Sequence, residues 1–163
     1  VRAVAAVALG SNLESRFGDR GANLREAVRR VGELGEVRRV SSFYETEPVG
    51  LVEQPRFLNG AMLLETALEP AELMRRLLAV EQAMGRVRGV VKGPRVIDLD
   101  LLLYADRDGA AVVMETAELV LPHPEMHGRR FVLEPLAEIA PGMVHPVLGL
   151  TVTEILAGLG CDS

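Results

Sequence analysis

The stretch from Gly93 to Tyr104, GPRVIDLDLLLY, constrains the fold more than any other, because it sets two carboxylates into an otherwise apolar run. Side chains of a strand alternate between faces. That groups Val96, Asp98, Asp100 and Leu102 on one side and Ile97, Leu99, Leu101 and Leu103 on the other, a face expected to be wholly core. On the first face Asp98 and Asp100 are close neighbours, and their like charges either raise one pKa or call for a cation between them. A hard divalent ion such as Mg²⁺, held by one or two carboxylates and completed by water and substrate phosphates, meets that demand. The simpler alternative is an edge strand with two solvated aspartates. Gly93-Pro94-Arg95 argues against it, since it supplies a turn and a fixed cation immediately ahead of the strand, and both suit phosphate.

Around this strand the chain alternates. Ala3 to Leu9 reads as a buried strand ending in the turn Gly10-Ser11-Asn12. From Asn23 to Leu34 the spacing of Leu24, Val28, Val31 and Leu34 predicts an amphipathic helix closed by Gly35. Val37 to Tyr44 resumes strand character, and Glu45 to Pro55, broken by Pro48 and Gly50, is a loop long enough to expect function from it. Phe57 to Leu64 is the next strand, in which Asn59-Gly60 implies a bulge or a close backbone approach. Pro70 opens a second helix that runs to Met84 and ends at Gly85, and a basic connector, Arg86 to Lys92, leads into the acidic strand. Asp106-Arg107-Asp108-Gly109 predicts a turn that returns the chain as a strand over Ala111 to Met114. Beyond the proline-interrupted segment Leu121 to Phe131, a short helix is expected over Val132 to Ile139, and Thr151-x-x-Glu154 caps a last one to Leu159. The order β-α-β-β-α-β, followed by a hairpin and a helical tail, predicts an α+β fold: a ferredoxin-like antiparallel sheet with helices packed on it. With 163 residues it is expected to form one domain, residues 1–163.

Composition narrows the partners. Apolar residues make up 48% and charged ones 25%, an ordinary globular mixture. No apolar run approaches the roughly 18 residues of a spanning helix, and Val1 to Leu9 lacks the layout of a signal peptide. A soluble, cytoplasmic, monomeric protein with no membrane partner is expected. The net charge of −5 argues against nucleic acid. The single cysteine, Cys161, can form no internal disulfide. Arg86, Arg88 and Arg95 precede the acidic strand and Arg129-Arg130 form a second pair. Arginines converging on two acids suit a polyanion held with metal, as in a nucleoside triphosphate.

Neither a P-loop nor a dinucleotide fingerprint is present. His123 and His127 invite zinc, but Pro124 prevents the helix that would place such a pair on one face. His123 is expected either as a neutral donor to phosphate or base or as a packed loop residue. Glu81, in the last turn of the second helix, is either solvated or turned toward the site. Phe43, Phe57 and Phe131 are core or, for the two that border loops, rings between which a flat ligand could lie.

Four blocks carry a resemblance. ALGSNL (Ala8 to Leu13), SSFYETEPVG with QPRFLNGA (Ser41 to Ala61), GRVR with GPRVIDLDLLLY (Gly85 to Tyr104) and LPHPEMHGRRFVLEPLAEIAP (Leu121 to Pro141), in this order, resemble the 6-hydroxymethyl-7,8-dihydropterin pyrophosphokinase family of folate biosynthesis over essentially the whole chain. The resemblance implies transfer of a pyrophosphoryl group from ATP to the hydroxymethyl oxygen of a reduced pterin, with release of AMP. It implies that Asp98 and Asp100 hold two Mg²⁺ ions and that Arg86 and Arg95 neutralise charge developing at the transferred group. Glu81, Arg88, Leu101, His123 and Arg129 would line the ATP site. Thr46, Pro48, Val49 and Asn59 would read the pterin, stacked between Phe57 and Phe131. The chain departs from the family pattern at Lys92, where tryptophan is frequent, at Glu47, Leu78, Glu118 and Val120, and in a shortened Gly89 to Lys92 connector.

Overall fold

The strand Ala3–Ser11 (β1) can occupy the centre of a sheet because eight of its nine residues are buried, with Ala6 and Ala8 toward one face and Ala5, Val7 and Leu9 toward the other. In the computed structural model, which describes residues 2–46, 55–85 and 95–159, β1 pairs antiparallel with Phe57–Thr66 (β4) on one side and Asp98–Ala105 (β5) on the other. Glu36–Val40 (β2) and Tyr44–Thr46 (β3) both pair with the outer edge of β4. The resulting order β2-β4-β1-β5 is that of the expected ferredoxin-like sheet. The helices Arg20–Val31 (α1) and Pro70–Ala83 (α2) make the two crossovers.

Both faces of this sheet are covered. Ala5, Val7, Leu9, Leu64, Leu99 and Leu101 pack against Leu24, Ala27 and Val31 of α1 and Leu73 and Leu77 of α2. Ala6, Ala8, Ala61, Leu102 and Leu103 pack on the opposite face against Arg130–Ile139 (α3) and Val152–Leu159 (α4). The strict alternation expected for β5 therefore fails at one point. Ala6 pairs with Leu103 but Val7 with Leu101, so Leu102 is an extra residue in the ladder and Leu103 turns to the α3/α4 face, away from Leu99 and Leu101. A bulge of this kind re-aims the side chains beyond it. It leaves Asp98 and Asp100, ahead of the bulge, on the α3/α4 face.

Local chemistry explains other departures from the sequence reading. The helix α1 starts three residues earlier than Asn23, because Asp19 caps it by accepting from Ala22 N–H at 2.9 Å. It also ends earlier than expected, at Val31 with Gly32 as its cap, and the chain continues as a 3-10 turn over Gly32–Leu34; Gly35 closes that turn, where a Cβ would lie 2.1 Å from the Glu65 carbonyl oxygen. The strand expected over Val37 to Tyr44 is broken at Ser41, whose hydroxyl accepts from Ala61 N–H at 2.9 Å. Phe43 then lies over Gly60, where an added Cβ would meet its ring at 2.9 Å, the close approach that Asn59-Gly60 implied. The turn at Asp106 forms, but the returning chain holds β5 only as far as Val112; Met114–Glu115 (β6) pairs instead with Val120–Leu121 (β7). Val144–His145 (β8) and Leu150–Thr151 (β9) form a further hairpin ahead of α4. Both bonds of the capping box are made, Thr151 N–H to Glu154 at 2.9 Å and Glu154 N–H to Thr151 Oγ1 at 3.1 Å. Among the described residues no helix is long and apolar enough to cross a membrane.

Candidate active site

Register builds the site. On the α3/α4 face Asn59 of β4, Gly10 of β1 and Asp98 of β5 stand in one row across three strands, and Ala61, Ala8 and Asp100 stand in the next. Gly10 is the low point between them. A Cβ added there would lie 3.0 Å from Asn59 Oδ1, 3.6 Å from Phe57 Cδ1 and 4.0 Å from Asp98 Cβ. Residues chosen from distant parts of the sequence as acceptor-binding (Phe57, Asn59) and cation-binding (Asp98) thus converge on one point. The Asn59 amide is oriented by donating from Nδ2 to the hydroxyl of Thr46 on β3, which leaves Oδ1 toward Gly10.

The acids lie on an edge strand whose outer backbone groups need partners. Glu81, in the last turn of α2 and only 2% exposed, supplies one: its Oε2 accepts from Leu99 N–H at 2.6 Å. It therefore braces the peptide between Asp98 and Asp100, and its burial rules out the solvated alternative. His123 supplies another, donating its backbone N–H to Leu102 O at 2.9 Å. Its ring Nδ1 accepts from Glu125 N–H at 3.1 Å, which assigns the ring proton to Nε2. That nitrogen lies 3.9 Å from Asp100 Oδ1, beyond hydrogen-bond range. Burial, and after it the positive charge of Arg129, holds the His123 pKa below the usual histidine value, so the ring is neutral at pH 7. Arg129 lies 5.5 Å from the Phe131 ring centroid and pairs with Glu125. Phe131, at the start of α3, packs against the α3/α4 core.

Asp98 and Asp100 are half-buried, the Asp100 side chain being 34% exposed. Among the described residues no group of three or more His, Cys, Asp or Glu could hold a metal. A donor set of two hard oxygens suits Mg²⁺ shared with phosphate oxygens rather than a metal caged by protein. His127 faces His145, ring centroids 6.1 Å apart, and contributes nothing beside His123.

Not every expected residue joins this group. The Leu101 side chain is 2% exposed in the α1/α2 core, on the face opposite Asp98 and Asp100. Phe43 belongs to that same core. Arg86, Arg88, Pro48 and Val49 lie outside the described residues, as do Glu47 and Lys92. Of the other departures, Glu118 forms an exposed ion pair with Arg75 at 2.7 Å, and Val120 is exposed. Arg95 is held through its backbone by Asn12, which belongs to the Gly10-Ser11-Asn12 turn and the ALGSNL block, neither of which assigns it a site role. Glu138, singled out by no motif, accepts from Ser42 N–H and Oγ and from the Tyr44 hydroxyl, tying α3 to the start of β3.

Fold and site together define a ferredoxin-like α+β protein with a paired-carboxylate centre on the edge strand β5, in register with Gly10 of β1 and Asn59 of β4. The family model for 7,8-dihydro-6-hydroxymethylpterin-pyrophosphokinase matches residues 6–141, and the chain belongs to that family. It is 42% identical over 161 residues to the 2-amino-4-hydroxy-6-hydroxymethyldihydropteridine pyrophosphokinase of Synechocystis, covering 98% of this chain and 77% of that protein. It is 46% identical over 153 residues to the enzyme of the same name from Methylorubrum extorquens, covering 93% and 90%. It also matches a segment of the folic acid synthesis protein fol1 of Schizosaccharomyces pombe, 39% identical over 145 residues, 88% of this chain but 19% of that protein. Among solved structures, wild-type Plasmodium falciparum HPPK-DHPS with STZ-DHP shares the fold with a TM-score of 0.70 at 15% identity, over 97% of this chain and 41% of that one.

Proposed function

We infer that this chain transfers the pyrophosphoryl group of ATP to the hydroxymethyl oxygen of 6-hydroxymethyl-7,8-dihydropterin, giving AMP and the pterin diphosphate, a step of folate biosynthesis. The observation that supports the reading is the row Asn59–Gly10–Asp98, which brings an amide, the Phe57 ring and a carboxylate to one point. In the reaction the hydroxymethyl oxygen bonds to the β-phosphorus, the bond from that phosphorus to the α,β-bridging oxygen breaks, AMP leaves with the electron pair, and the hydroxyl proton is lost. Such transfers need positioning and charge stabilisation more than covalent help from the protein.

Each residue then has a role. Asn59, with Thr46 behind it, hydrogen-bonds the pterin edge, and Phe57 and Phe131 bound its faces; Pro48 and Val49 are proposed to complete that wall. Asp98 and Asp100 are proposed to hold Mg²⁺, two ions in the full complex, which supplies charge neutralisation along the triphosphate. Arg95 and Arg86 are proposed to meet the charge that builds on the transferred group and the leaving oxygen. Glu81, Arg88, Leu101, His123 and Arg129 are proposed for the ATP side, with two distinctions. Glu81 acts through the β5 backbone, and Leu101 is restricted to its main chain by the burial of its side chain. A neutral His123 offers its Nε2 proton to an ATP oxygen without placing a cation against the metal. One domain over residues 1–163 is proposed to carry these roles, a reading supported by the two cores that flank the central sheet.

The test is product analysis. The protein incubated with ATP, Mg²⁺ and 6-hydroxymethyl-7,8-dihydropterin should release AMP, and Asp98→Ala should abolish it while remaining folded. ADP as the nucleotide product, or no turnover by folded wild-type protein, would overturn the assignment.

A further inference from the structure

Asn12 lies at the end of β1 and is 1% exposed. Its backbone N–H donates to Arg95 O at 2.9 Å, its side-chain Oδ1 accepts from Arg95 N–H at 2.6 Å, and its Nδ2 donates to Pro55 O at 3.0 Å. The amide orientation follows from its partners: a backbone N–H can only donate and a carbonyl can only accept. Asparagine is suited to the position, because one short side chain must accept on one side and donate on the other. Aspartate cannot donate, and serine does not reach as far.

The post that carries Asn12 is itself fixed. Asn23, fully buried in α1, donates from Nδ2 to Ser11 Oγ at 3.1 Å and to Leu13 O at 2.7 Å, on either side of Asn12. What Asn12 holds are the approaches to the two strands that flank β1. Pro55 leads into Phe57 and Asn59 of β4, and Arg95 leads into Asp98 and Asp100 of β5. The polar side chains of one residue thus fix the acceptor wall and the charged wall of the site relative to each other.

We propose that Asn12 is a positioning residue for the pyrophosphoryl transfer, setting the pterin pocket and the Arg95–Asp98 segment in register through Pro55 and Arg95. The proposal rests on the function inferred above, and misplacement of about 1 Å in a transfer that depends on alignment costs on the order of 100-fold in rate. The side-chain bonds to Arg95 and to Pro55 can be separated. Asn12→Ala removes the pair. Asn12→Asp keeps an acceptor for Arg95 N–H but loses the donor to Pro55 and sets a carboxylate against its carbonyl.

The experiment measures kcat, pterin Kd by ligand fluorescence and Kd for a non-hydrolysable ATP analogue, each corrected for the folded fraction. Asn12→Ala should lower kcat at least tenfold. Asn12→Asp should weaken pterin binding at least fivefold and leave the ATP-analogue Kd within about twofold, a split that loss of stability alone does not produce. If Asn12→Ala does not fold, Asn12→Asp carries the test. Wild-type values in the variants, or equal weakening of both ligands, overturn the proposal. Failure of the wild type to make AMP would instead overturn the function itself, so the two failures are distinguishable.

Discussion

Gly10→Ala tests the geometry of the site with the smallest possible change. The backbone at Gly10 is not in the left-handed region, so alanine fits it without dihedral strain. Replacing glycine by alanine at such a position stabilises by about 0.4–1 kcal/mol through the unfolded chain. Against that stands crowding. The new methyl would lie 3.0 Å from Asn59 Oδ1, where the neighbour must give by a few tenths of an ångström, and at ordinary contact distance from Phe57 and Asp98. Asn59 cannot yield freely, since its amide is bonded to Thr46 and it is 7% exposed. Overpacking of this kind costs about 1–3 kcal/mol, so the two effects partly cancel and the net loss of stability should be about 0–2.6 kcal/mol. Function has no such compensation, because the methyl occupies the floor on which the acceptor would rest. Urea unfolding should therefore show a modest shift in midpoint with an unchanged slope, while pterin affinity falls at least tenfold. ATP-analogue binding should remain near wild type. Unchanged pterin affinity would refute the placement of the acceptor over Gly10, and a collapse of stability would show that Asn59 and Phe57 are far less able to adjust than argued.

Other changes address the remaining parts of the site. Glu81→Ala should destabilise by about 1–3 kcal/mol, because it strands the buried Leu99 N–H; Glu81→Gln, which keeps an acceptor, should recover most of the loss in chemical denaturation. The His123 pKa is lowered in the folded chain, first by burial, so the unfolded chain protonates first as pH falls. Its contribution is present above the ordinary histidine value and is lost as pH drops through the lower folded value. The wild type should therefore lose stability relative to His123→Gln between about pH 7 and pH 5, and parallel pH profiles would contradict the burial argument. Arg95→Ala should lower kcat much more than it weakens ATP-analogue binding, since a contact that strengthens in the transition state is read in turnover; equal losses would count against that role.

Much of the fold was legible because apolar periodicity and turn residues act locally. Leu24, Val28 and Val31 defined α1, Pro70 and Gly85 bounded α2, and Thr151 with Glu154 gave a capping box whose two bonds are both present. The acids of β5 were legible for the opposite reason, being unlike everything around them. What could not be read depends on pairing between distant segments. The bulge at Leu102 exists only relative to Ala6 and Val7 of β1, so the face of Leu103 could not follow from alternation within β5. Burial of both sheet faces was likewise hidden, because α3 and α4 come after the βαββαβ core and their partners were undetermined. Glu138 contacts residues more than 90 positions away, and nothing beside it in sequence marks it. Asn12 carried a signal, the Gly10-Ser11-Asn12 turn, but that signal named a backbone shape and not the amide's two partners.

The polar groups that meet the outer edge of β5, one side chain and two backbone amides, share one physical task. An edge strand exposes unpaired N–H and C=O groups, and placing two acids on it adds mutual repulsion to that cost. Glu81 meets the outer edge at Leu99, the His123 backbone meets it at Leu102, and Val112 meets it at Tyr104, donating at 2.8 Å. These contacts come from α2, from the segment ahead of α3 and from the return after the Asp106 turn. The strand is therefore held on its outer edge by three separate parts of the chain and on its inner edge by β1, which fixes Asp98 and Asp100 without spending either carboxylate on the edge contacts at Leu99, Leu102 and Tyr104. On the far side of β1 the same logic applies to Asn59: Glu138 fastens Ser42 and Tyr44, β3 carries Thr46, and Thr46 orients the Asn59 amide. Gly10 leaves space between the two halves, and Asn12 ties their approaches together through Arg95 and Pro55. Substitutions at these two positions should therefore separate binding from alignment more sharply than substitution of the acids themselves.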